Sequence, residues 1–179
     1  MTSVSQLFHQ IADPTVTHDE GARLRCQLAK ELEDAGNYQA AREAMGDLWL
    51  RVGERPKLEG FDQATAAAVL LRVGVLTGWL GSATRIDDAQ ALAKDLISES
   101  LGSLDTEKIA EAQSDLAICY CREGAFDEAR IILNEALGRM VNRADDRKAV
   151  ALLRLAIVEK VTLRLSDALR LLMRRADLR

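Results

Sequence analysis

The chain has 179 residues, enough for one domain with a sizeable core. Its composition is 48% hydrophobic but only 4% aromatic, with two prolines, which suits uninterrupted helices packed through small residues. Alternating β-branched runs are few, so no sheet is expected. Twenty-four Lys and Arg against 28 Asp and Glu leave a net charge of −4, which disfavours nucleic-acid binding by bulk charge. The odd set of Cys26, Cys119 and Cys121 lacks the spacing of a secreted disulfide framework. No leader pattern is visible, and no apolar run approaches the roughly 20 residues of a membrane span. The expected location is cytoplasmic, without membrane contact.

In chain order, Ser3 to Ala12 reads as a short helix with Leu7, Phe8 and Ile11 on its apolar face, ended by Asp13-Pro14. Thr17 and Glu20 form a capping-box pattern ahead of a helix from about His18 to Ala35. A partner helix follows from Tyr38 to Val52, with Asn37 as its cap. The stretch from Gly53 to Gly60 (GERPKLEG) has the composition of a linker. The next helix, Asp62 to Leu80, is apolar on several sides and should be covered on more than one face. After a break at Gly81 to Thr84, another helix runs from Asp87 to Leu101.

The most regular stretch is Ile109 to Met140. Ile109, Ala112, Leu116, Ala117 and Tyr120 share one helical face, Gly124 suits a positive-φ turn, and Phe126, Ala129, Ile132, Leu133, Ala136, Leu137 and Met140 repeat the periodicity. Asp127 and Glu128 stand where the exposed N–H groups of a helix start favour carboxylates. Asn142 to Asp146 is a turn, and helices from Arg147 to Leu163 and Ser166 to Asp177 finish the chain. On the last of these, Leu169, Leu172 and Met173 are expected to face inward, with Leu171 and Leu178 elsewhere.

Leu116-Ala117, Tyr120, Gly124, Phe126, Ala129, Leu133 and Ala136 resemble the signature of a tetratricopeptide repeat, with Gln113 where that family often has a large aromatic residue. Leu28-Ala29, Leu32, Gly36, Tyr38, Ala41, Met45 and Leu48 repeat the pattern upstream. Leu155-Ala156, Leu165, Ala168 and Leu172 repeat it downstream, with Leu163 in place of the turn glycine, so that turn is expected to be built differently. Val73-Gly74, Thr77, Gly81, Ile86, Ala89 and Ala93 give a copy with about three extra residues. The small residues 41, 89, 129 and 168 are 48, 40 and 39 apart, longer than the roughly 34-residue family period and similar to its extended variants.

The resemblance implies an all-α fold, a right-handed α–α superhelix of stacked helix-turn-helix repeats. Residues 1–16 would be an N-terminal helical segment, and residues 17–179 one domain of four units, about 18–52, 62–101, 106–141 and 147–177. It further implies a protein–protein interaction module, not an enzyme, that binds a peptide or helix in a concave groove lined by the first helix of each pair. Carried over slot by slot, the groove takes Arg23 and Lys30, then Leu71, Val75 and Trp79, then Ile118, Cys121 and Arg122, then Leu153, Ile157 and Lys160. Leu71, Val75, Trp79, Ile118, Leu153 and Ile157 would form an apolar strip, unless curvature closes the groove and makes them core. Lys30 and Arg122 are too far apart in repeat number to form the family's carboxylate clamp. The alternative is a regulatory or sensory region of a larger bacterial signalling or transcription regulator. The last helix lacks a polar capping element, which suggests a chain cut from a longer protein or an end that meets another chain. A homodimer through the groove or through that helix would follow.

Other polar residues read more simply. His9 and His18 lie at the surface and do not make a metal site. Cys119 and Cys121, about 200° apart on a helix, cannot share a ligand, and Cys119 should be core. Asp87-Asp88 and Asp145-Asp146 are carboxylates at helix starts. Arg170, Arg174, Arg175 and Arg179 are a solvated basic face. No cofactor is implied, since no phosphate loop, nucleophile elbow or zinc-protease helix occurs.

Overall fold

In the computed structural model the described residues, 4–140, 146–176 and 178, contain helices and no strand. The protein is therefore all-α. The helices are α1 (Val4–Ile11), α2 (His18–Asp34), α3 (Tyr38–Met45), α4 (Gln63–Thr84), α5 (Ala89–Ser100), α6 (Thr106–Arg122), α7 (Phe126–Arg139), α8 (Asp146–Val161) and α9 (Leu165–Ala176). They fall into two compact units, Met1–Ser103 with α1 to α5 and Leu104–Arg179 with α6 to α9.

In the first unit, α1 seats on α2 through Leu7, which is fully buried, with Val4 and Ile11 beside it. Phe8, expected on that face, is 55% exposed; the steps of three and four through Val4, Leu7 and Ile11 fill the narrow contact of a two-turn helix and leave Phe8 outside. Thr17 caps α2 by accepting from the Glu20 amide at 3.3 Å, and Asn37 caps α3 by accepting from the Ala40 amide at 3.2 Å. The second helix stops at Met45, not at Val52. Gly46 there adopts φ +57°, and the Arg25 guanidinium lies where a side chain on Gly46 would stand, while its Nη1 donates to the Ala44 carbonyl at 3.3 Å.

The stretch read as a linker is folded onto the unit. Trp49 is 1% exposed and its indole N–H donates to the Glu54 carbonyl at 3.0 Å. The Lys57 amide donates back to the Leu48 carbonyl at 2.9 Å, and Pro56 is buried. Phe61 stacks on His18 with ring centroids 4.3 Å apart, and the Asp62 amide donates to Asp19 at 3.0 Å. A buried tryptophan thus organises a segment whose Gly, Pro and charge content alone suggests slack chain.

α4 runs four residues past its expected end, to Thr84, and the break moves to Arg85 and Asp88, both at positive φ. Gly81 lies inside the helix and serves packing: a Cβ there would overlap the Ala89 methyl. One at Gly74 would come within 2.7 Å of Ile97 Cγ1 and 3.1 Å of the Ala93 carbonyl oxygen. Two glycines seven residues apart thus let α4 and α5 approach closely. α4 is also long and apolar enough to cross a membrane by length and composition, contrary to the expectation for this chain. Seventy-two per cent of its most apolar window is buried within the fold.

In the second unit, Asp105 caps α6 by accepting from the Lys108 amide at 2.9 Å. Ala117, Ala129, Leu133, Leu152, Leu155, Ala156, Val158 and Leu171 form its core. Its two hairpins have the same turn. The Ala125 amide donates to the Tyr120 carbonyl at 2.9 Å across Gly124 at φ +80°, and the Arg164 amide to the Glu159 carbonyl at 2.8 Å across Leu163 at φ +63°. The expectation of a different turn at Leu163 is therefore wrong: leucine is held in the left-handed conformation instead. The first unit repeats the bond from Asn37 to Leu32 across Gly36, and from Ile86 to Gly81 across Arg85.

α9 departs most from expectation. Ala168 and Leu171 are its buried residues, and Leu178 packs against the same core. Leu169, Leu172 and Met173, expected inside, are 61%, 41% and 64% exposed. Among the described residues α9 packs chiefly against α8, and small Ala168 makes that contact narrow, so its broader apolar stripe stays in solvent.

Candidate functional site

The groove positions divide between the two units. In the first, Arg23 is exposed and pairs with Asp62 at 3.4 Å. Lys30 is half-buried, bonded to Asp34 and 3.8 Å from Glu33. Leu71 and Val75 are 6% and 3% exposed, so these two are core positions and not an open strip. Trp79 is 37% exposed and stacks on Tyr38, ring centroids 4.8 Å apart and planes 21° from parallel. The Tyr38 ring therefore presets the indole orientation, a favourable property in an aromatic anchor.

In the second unit, Ile118, Cys121, Arg122 and Leu153 are half-buried, Ile157 is 51% exposed and Lys160 is exposed. α6 and α8 are bridged on this side by Arg154, which donates to Ser114 Oγ at 2.7 Å and pairs with Asp115 at 2.8 Å. Arg147 lies 3.9 Å from Glu111. Burial pushes the Cys121 thiol up, against the opposing pull of the Arg154 and Arg122 charges. Cys26 is pushed by burial up to about 12, with the Arg72 charge opposing, and Cys119 is 2% exposed. These thiols are not poised as nucleophiles. Among the described residues no group of three or more His, Cys, Asp or Glu is placed to hold a metal ion. The arrangement offers apolar contact beside fixed cations.

Sequence reading missed the ion pairs that join the first helices, yet a signal for them exists. Glu33 and Arg72, each about nine-tenths buried, bond across α2 and α4 and are 39 residues apart. Arg23 and Asp62 are also 39 apart, as are Asp115 and Arg154. Asp115 and Arg154 occupy the same slot on successive first helices, in step with Leu116 and Leu155, whereas the signature slots of α2 and α4 are 45 residues apart, so their paired charges meet six positions off that register. Of the adjacent carboxylates, Asp88 precedes α5 in the left-handed region and makes no side-chain cap bond, while Asp145 lies outside the described residues, as does Arg179.

Compared with known proteins, the chain matches no family model, and no curated protein sequence matches it significantly.

Proposed function

We propose that this protein is an interaction module of tetratricopeptide type, a right-handed superhelix of helix pairs whose first helices receive a peptide or helix from a protein partner. Four turns closed by the same bond, at Gly36, Arg85, Gly124 and Leu163, support the repeat. So do the small residues Ala41, Ala89, Ala129 and Ala168, all buried at corresponding points of the second helices. The observation that carries the function is the exposure of apolar side chains at groove positions, above all Ile157 at 51% and Trp79 at 37%. Ile157 belongs to the second unit and Trp79 to the first, and each is a large apolar side chain left accessible to a partner. Three free thiols fit a reducing, cytoplasmic setting.

The test is selection of binding peptides from a displayed library, followed by calorimetric titration of the best one. A peptide seated on the second unit should be weakened at least tenfold by Ile157→Glu, and one seated on the first by Trp79→Ala, with the helical circular dichroism unchanged. A peptide that binds both variants as well as the parent chain would place recognition elsewhere and overturn the groove reading.

A further inference from the structure

The outer side of α9 carries an apolar stripe that the groove reading leaves unused. Leu165, Leu169, Leu172 and Met173 are 62%, 61%, 41% and 64% exposed. Their spacings of four, three and one confine them to an arc of about 100°. Val161 and Leu163, at 52% and 82%, extend exposed apolar surface into the preceding turn.

The second unit itself shows what such a stripe receives. The hydrogen bonds of its two turns fix a register of 39 residues between α7 and α9. In that register Phe126 corresponds to Leu165, Ala129 to Ala168 and Leu133 to Leu172. On α7 the centre of this face is covered: Leu133 is fully buried in the cluster it shares with Leu152, Leu155 and Val158 of α8, Phe126 is half-buried against it, and Asn134, the counterpart of Met173, is exposed. On α9 Ala168 is buried, but Leu165 and Leu172 are in solvent. Arg130 of α7 anchors its neighbour by donating to Glu159 of α8 at 2.7 Å. Its counterpart on α9 is Leu169, so a helix seated there meets apolar side chains where α8 meets a cation.

The cations of α9 lie to one side. Arg170 and Arg174, both exposed, follow the stripe on its far side from Ala168. Arg170 is 3.3 Å from Asp167, and Arg174 has no ion pair among the described residues. An antiparallel pair of α9 helices about a two-fold axis would set each basic flank against its own copy, which like charges oppose. A helix bordered by carboxylates meets this flank with opposite charge.

We infer that the exposed face of α9 is a docking surface for an amphipathic helix of another protein, with an apolar stripe flanked by Asp or Glu, seated as α8 is seated on α7. This surface is separate from the groove and does not depend on it.

The experiment titrates the full chain by calorimetry with a synthetic helical peptide of about 18 residues, long enough to hold a helix. The peptide carries leucines at i, i+3, i+4 and i+7 with flanking glutamates, and its control carries lysines instead. The glutamate peptide should bind at least tenfold more tightly than the lysine peptide. Leu172→Glu should weaken it tenfold or more, and Arg170→Glu with Arg174→Glu should reverse the charge preference. All three residues are exposed, so the helical dichroism and the thermal midpoint should hold. Trp79→Ala should change nothing, which separates this surface from the groove. Three outcomes would overturn the proposal: no difference between the peptides, sedimentation with phosphatidylglycerol vesicles in place of peptide binding, or a dimer that Leu172→Glu dissociates.

Discussion

Leu163→Gly should stabilise the protein. Leu163 sits at φ +63° in a turn whose counterparts use Gly36 at +78° and Gly124 at +80°. An L side chain in the left-handed region costs roughly 1–2 kcal/mol through the clash of Cβ with the carbonyl oxygen. Glycine removes that cost but adds roughly 0.5–1 kcal/mol of backbone entropy to the unfolded chain. Leu163 is 82% exposed, so loss of its side chain forfeits little burial. The balance is a gain of about 0.5–1 kcal/mol, read as a higher urea midpoint at unchanged slope. Gly124→Ala supplies the reverse control. No atom lies within 4 Å of a Cβ placed there, so its loss of about 1 kcal/mol reports the backbone alone. If Leu163→Gly lowered the midpoint while Gly124→Ala behaved as expected, the leucine side chain would be stabilising the fold through contacts its exposure denies.

The glycines within helices should separate by what surrounds them: Gly74→Ala and Gly81→Ala force α4 off α5 and should each cost about 1–3 kcal/mol by urea unfolding, whereas Gly138→Ala, facing open space on α7, should gain about 0.5–1 kcal/mol. Glu33→Ala leaves the Arg72 guanidinium buried without its carboxylate and should cost about 3–5 kcal/mol, while the double replacement of Glu33 and Arg72 by methionine should recover most of it; equal loss in both variants would show that packing, and not charge, sets the penalty. Asp62 caps α4 by accepting from the Thr65 amide, and that bond, aided by the Arg23 charge, holds its carboxyl below the usual range. A depressed folded pKa means the cap contributes fully above the unfolded carboxylate pKa and loses its contribution as pH falls through the folded value. Stability measured across acid pH should therefore fall less steeply in Asp62→Asn than in the parent chain, and identical slopes would remove Asp62 from the account.

Much of the fold is legible because local chemistry and packing agree. Thr17 and Asn37 are caps by residue type, and both make their bonds. Gly36 and Gly124 mark turns because they are followed by a restart of the apolar period. Legibility fails where one residue type serves two ends. Gly81 reads as a turn glycine but is a packing glycine, since Ala89 presses on it, and the chain turns at Arg85, which composition does not mark. GERPKLEG reads as slack because the signal for order, Trp49, lies just before it.

The candidate surface divides in the same way. Periodicity finds which side chains share a helical face, and it correctly groups Leu169, Leu172 and Met173. It carries no information on which face a neighbour covers. That depends on the width of the contact between helices, and small Ala168 brings α9 onto α8 along a line that admits Leu171 and leaves the leucine stripe outside. Assigning the broadest apolar face to the interior assumes that every helix has a neighbour to match its stripe. α7 has one in α8, and Leu133 is buried; α9 repeats the stripe without such a neighbour among the described residues, and Leu172 is not. The same periodic signal is thus a core on one helix and a surface on the next. What separates them is the partner, which lies outside the helix's own sequence.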